Sequence, residues 1–126
     1  MKKEALVDFT YATVDCFDQI CRFGAYREME ITPSGDSPEI AEKSKEQAQT
    51  LSASVASCVR LGTVATLLCK PSMSAAITPL VELLRITAGQ TFSPDFKGLE
   101  DEAGDKLQVL METASTAARE ELGIID

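Results

Sequence analysis

Between Ala41 and Cys69, the residues Ala41, Ser44, Ala48, Leu51, Val55, Cys58, Gly62, Ala65 and Cys69 recur at alternating spacings of three and four. A helix turns once every 3.6 residues, so this rhythm sets all of them along one side. A strand alternates every two residues and would scatter them over both faces. The spacing predicts one helix from about Pro38 to Cys69, about 48 Å long at 1.5 Å per residue. Most residues of the seam are small, so a partner helix can approach closely, and Leu61, Val64 and Leu68 add bulk beside its C-terminal half. The charges Glu39, Glu42, Lys43, Lys45 and Glu46 crowd the first turns, whereas residues 47–81 carry only Arg60 and Lys70. A surface helix normally keeps a charged stripe. The far end of this one is therefore expected to be buried on several sides or covered by a partner subunit.

The other elements are also helical. Leu6, Phe9, Thr13, Cys16, Ile20 and Phe23 lie on one face of a first helix over about Lys2 to Arg27. Glu4, Asp8, Tyr11, Asp15, Asp18 and Arg22 form its solvated side. The stretch 31–38 holds Pro33, Gly35 and Pro38 and reads as a turn, with Ser37 as N-cap and Pro38 at the first helical position. Lys70-Pro71-Ser72 is a short break, and short links favour antiparallel neighbours. A third helix is expected from about Ser72 to Ala88, with Met73, Ile77, Leu80, Leu84 and Thr87 inward and Gly89 as its end. Pro79 either kinks it or begins a shorter helix capped by Thr78. Ser93-Pro94 signals a fourth helix from about Pro94 to Leu122, loosened at Gly98 and Gly104. Its inner face is Phe96, Leu99, Ala103, Leu107, Leu110, Ala114 and Ala117, and Gly123 follows as the C′ residue. No strand-like alternation or internal repeat occurs. The fold class is all-α: an antiparallel bundle of three to four long helices, one domain over residues 1–126.

Charge and composition then narrow function. The 126 residues carry 20 acidic and 12 basic side chains, a net charge of -8. The basic residues are dispersed, whereas nucleic-acid binders need a basic face to displace counterions. Nucleic acid is thus not an expected partner, nor is an anionic membrane surface. No run of 18 apolar residues is present, so no transmembrane helix is expected. The basic start is followed at once by Glu4 and Asp8 rather than by an unbroken apolar core, so a cytoplasmic location is expected. Cys16, Cys21, Cys58 and Cys69 fall within apolar helical patterns, without a Cys-x-x-Cys knuckle and in a chain without histidine. They read as reduced, small buried hydrophobes rather than zinc ligands.

No phosphate-binding loop, dinucleotide fingerprint or nucleophile elbow occurs. Without histidine, a serine or cysteine nucleophile lacks its usual base. One group of residues has the chemistry of a Mg²⁺ site. Glu102 and Asp105 are one helical turn apart, and Glu82 sits on the preceding helix. On Glu102-Ala103-Gly104-Asp105 and the helix and tail that follow, over about 45 residues, the chain resembles the all-α nucleoside-triphosphate pyrophosphohydrolases of the MazG type. That resemblance implies Mg²⁺ held by Glu82, Glu102 and Asp105. Pro79 stands where the family's pattern puts a further glutamate. The leading expectation is instead a protein without cofactor that works through contacts with itself or another protein.

Overall fold

The computed structural model describes residues 2–31 and 38–123. These residues are 89% helical and contain no strand. Four helices follow in order: α1 (Lys2–Ile31), α2 (Pro38–Leu68), α3 (Pro71–Thr91) and α4 (Asp101–Glu121). The expected Ser37 cap lies outside the described residues.

Cross-helix pairs give the directions. Gln47 donates to Gln19, Ser54 donates to Asp15, and Gly62 faces Phe9. Position falls along α2 as it rises along α1, so the two are antiparallel. The two-residue link at Cys69 and Lys70 reverses the chain again. Glu121, at the end of α4, meets Lys70 just before α3, so these two helices are antiparallel as well.

The inner face of α1 is the expected one: Leu6, Phe9, Cys16, Ile20 and Phe23 are all buried. Met73, Ile77, Leu80 and Leu84 of α3 meet them, with Leu51, Cys58 and Ala65 of α2 and Leu107 and Ala114 of α4. Burying each of the larger side chains contributes about 1.5–3 kcal/mol. Only α1 and α3 supply large residues along their whole length. Accordingly α1 packs on α3, and both touch α2 and α4, whereas no Cα of α2 lies within 8 Å of one in α4. The cross-section is a rhombus with α1 and α3 on its short diagonal. Its outer corners are α2 and α4.

The first helix runs past the expected Arg27 to Ile31, and three further features differ from the sequence expectation, each for a tertiary reason. First, α3 runs through Pro79 without a break. Pro79 and Ala75, whose carbonyl loses its helical donor, are both exposed, so water can serve that oxygen. Second, α3 passes Gly89 and ends at Thr91. There Arg27 of α1 donates to Thr91 O at 3.1 Å and Ser93 O at 2.7 Å, placing a cation where the helix's free carbonyls collect. The Phe23 and Phe92 rings, 4.8 Å apart, hold the same corner. Third, α4 begins at Asp101 rather than Pro94. Phe96 and Leu99 still turn inward, but from a link that packs on Gly24, where an added Cβ would lie 3.2 Å from Leu99 Cδ1. Gly98, at φ +127°, gives that link a turn that a helix cannot contain. Gly123, at φ +73°, ends α4 as expected.

Glu121 ties three elements together. It accepts the Lys70 backbone N–H at 2.7 Å and pairs with Lys2 Nζ at 3.2 Å. The Lys70 amide, and then Lys2, hold its carboxyl below the ordinary value of 4.5. A carboxyl lowered in the folded state adds stability above its unfolded pKa, and that stability is lost as pH falls through the folded value. Urea titrations should therefore show the wild type's advantage over Glu121→Gln shrinking as pH drops below about 4.5. A gap of constant size from pH 7 to pH 3 would refute the clamp.

Candidate functional site

The three carboxylates that the resemblance sets around Mg²⁺ line two different grooves. Glu82 looks onto the groove between α2 and α3, beside Val59, Thr63 and Leu67, and pairs with Arg85 at 3.6 Å. Glu102 and Asp105 line a different groove, with Leu83, Val109 and Leu110, and Glu102 pairs with Lys106 at 3.0 Å. Among the described residues, no group of three or more acidic or cysteine side chains is arranged to hold a metal ion.

The cysteines divide by environment. Cys16 and Cys58 are buried against each other in the α1–α2 seam. The Cys16 thiol is pushed well above its ordinary range by its hydrogen bond with Cys58 and by burial. Cys21 is exposed rather than buried as expected, and Cys69 is only partly buried. Burial, with Asp18 adding to it, pushes the Cys21 thiol up. Burial does the same at Cys69, helped by Glu121. Thiols raised in this way stay protonated and are poor nucleophiles.

The outer side of α2 differs most from the expectation. The seam is inward from Ser44 on, where Ser44, Leu51, Cys58, Gly62 and Ala65 are buried, whereas Ala41 at its N-terminal end is exposed. The far end, however, is not buried on several sides, because a corner helix of a rhombus has neighbours on one flank only. Val59, Val64, Leu67 and Leu68 face outward, with Leu67 79% exposed. An 18-residue window of α2 has mean hydropathy 1.5, yet 28% of it is buried. By length and composition α2 could cross a membrane, although no run of 18 consecutive apolar residues lies in it. Beside Leu67 lies a groove of about 280 Å³, lined by Val59, Thr63, Ile77 and Val81.

The other corner helix provides the control. α4 also lacks a neighbour on its outer side, and there it presents Glu102, Asp105, Lys106, Glu112, Thr113, Thr116 and Glu120, all exposed. Among its exposed side chains Val109 is the large apolar one, at 60%. The two outer helices thus differ: α4 is solvated along its outer side, whereas the C-terminal half of α2 exposes valines and leucines around the single charge of Arg60.

Within α4, Gly104 is a residue with no packing reason to be small, since a Cβ there would meet nothing within 4 Å. Gly104→Ala should stabilise the protein by about 0.5–1 kcal/mol through helix propensity, read as a higher urea midpoint. A lower midpoint would show a contact that the geometry lacks.

Compared with known protein families, curated proteins and solved structures, the chain matches none of them. The functional reading therefore rests on the physical features above.

Proposed function

We propose that this protein works through protein–protein contacts, and that the partner seated on the outer face of α2 is a second copy of itself. The observation that carries this is the exposed valines and leucines on the C-terminal half of α2, set against the solvated outer side of α4. Apolar side chains grouped on one exposed face are a feature of interaction surfaces. Two features favour a second copy. The face holds both a projecting residue, Leu67, and a groove beside it, and a two-fold interface needs such self-complementarity. Residues 95–126 hold nine acids and three bases, and α4 stands across the bundle from α2. A pair joined through α2 keeps its like charges apart.

A lipid bilayer is the other medium that could cover such a face, favoured by the hydropathy of α2. Two features weigh against it. Ser54 is tied to Asp15 of α1, and five charges crowd the first turns of α2, so spanning would require breaking the α1–α2 pair.

Sedimentation equilibrium is the test. The expected result is a mass rising with concentration toward twice 13.6 kDa. A monomer at high micromolar concentration overturns the reading, and cosedimentation of a monomer with neutral phospholipid vesicles replaces it with the lipid one.

A further inference from the structure

We propose that Cys16 and Cys58 are a redox pair that closes to a disulfide across the α1–α2 seam when hydrogen peroxide oxidises the protein. They are the two buried cysteines of the four, at 0% and 1% exposure, and their thiols are hydrogen-bonded to each other. The packing of α1 on α2 brings them together. Ser54, one turn before Cys58, donates to Asp15, the neighbour of Cys16. Gly62, one turn after Cys58, lies against Phe9. The small Ser54, Gly62 and Ala65 let α2 sit close on α1, as a bond between residues whose Cβ atoms are only about 3.5–4.5 Å apart requires. A single buried cysteine packs as a small hydrophobe and carries no such inference. Cys21 and Cys69 stand elsewhere, the first beside Phe17 and Leu99 and the second beside Glu121.

The pair differs from the other cysteines in having a sulfur that can start the reaction. The hydrogen bond from Cys16 holds the Cys58 thiol below its ordinary range, so Cys58 is the one that ionises, and the thiolate is the nucleophile. Its sulfur attacks one oxygen of the peroxide. An S–O bond forms, the O–O bond breaks, and the hydroxide that leaves takes up the proton released by Cys58. The product is a sulfenic acid and one water. The Cys16 sulfur then attacks the Cys58 sulfur. An S–S bond forms, the S–O bond breaks, and the oxygen leaves as a second water with the Cys16 proton. Two thiols are oxidised and one peroxide is reduced to two waters. Hydrogen peroxide is uncharged and little larger than water, so local opening of the seam is enough to admit it.

The test treats the reduced, folded full chain with millimolar hydrogen peroxide at low protein concentration, followed by intact mass, thiol counting and tandem mass spectrometry of a tryptic digest. The expected product is lighter by two hydrogens and has lost two of its four thiols. Its cross-linked peptide should fragment to a bond between Cys16 and Cys58, with the Cys21 thiol, which shares a tryptic peptide with Cys16, still free. The oxidised chain should unfold at a higher urea midpoint, because the bond restricts the unfolded chain, and dithiothreitol should return the midpoint to that of the reduced form. Cys21→Ser, at an exposed position outside the pair, should oxidise as the wild type does, whereas Cys58→Ala should form no internal bond and gain nothing in midpoint. Thiols that react only in urea, oxygen added to Cys16 or Cys58 without a bond between them, a bond through Cys21 or Cys69, or an oxidised form less stable than the reduced one would overturn the proposal.

Discussion

Leu67→Glu is expected to turn an associating protein into a monomer without unfolding it. Leu67 is 79% exposed, so the bundle loses little when it changes. In a two-fold pair the residue occurs twice, and each leucine taken from water contributes about 1.5–3 kcal/mol. Losing both weakens association by about 3–6 kcal/mol, roughly two to four orders of magnitude in Kd. A buried glutamate without a partner adds to that loss. Val109→Glu is the matched control, since Val109 is 60% exposed on the solvated exterior of α4 and should leave the mass unchanged. Sedimentation at one concentration, with circular dichroism confirming helix content, reads both. If Val109→Glu dissociates the protein and Leu67→Glu does not, the interface lies on α4 and the α2 assignment is wrong.

Gly62→Leu should have the largest effect on stability. A Cβ at Gly62 already lies 3.1 Å from Val81 Cγ2, 3.2 Å from Phe9 Cε1 and 3.4 Å from Ile77 Cγ2. Val81 and Ile77 are branched at Cβ and hold stiff rotamers, so they give way little. The further carbons of leucine must push α1 or α3 aside, which costs about 1–3 kcal/mol. That is a large part of the roughly 5–15 kcal/mol by which a domain is folded. Gly62→Ala calibrates the site. Its gain in helix propensity, about 1 kcal/mol, offsets the shift of a few tenths of an ångström that its neighbours must make. Urea unfolding at one fixed protein concentration should show a lower midpoint with unchanged slope for Gly62→Leu and a small change for Gly62→Ala. A leucine variant as stable as the wild type would show that α2 does not approach α1 and α3 this closely.

Helical periodicity decides which side of a helix turns inward, and it did so here for every element. Leu6 to Phe23, the small seam of α2 from Ser44 on, Met73 to Leu84, and Leu107 with Ala114 all face the core as their spacing requires. Spacing is a local property, so one chain carries it in full. The cap residues show where that ends. Gly123 stops α4 with a backbone conformation of its own. Thr91 ends α3 because Arg27 reaches it from 64 positions away. Phe96 and Leu99 face inward from a link rather than a helix because Gly24 leaves room for them. Glu82, Glu102 and Asp105 have the spacing of a shared site, but α3 presents Glu82 to the α2 groove and leaves the other two on the α4 side.

The sequence by itself therefore determined the helices, their inner faces and the lack of charge along the end of α2. Only the tertiary structure decided that this uncharged end would be a corner rather than a centre. The physical reason is the distribution of bulk. Large side chains run the length of α1 and α3 and draw those two onto the short diagonal. The small seam of α2 lets it lie close on one flank while its outer leucines and valines stay in solvent.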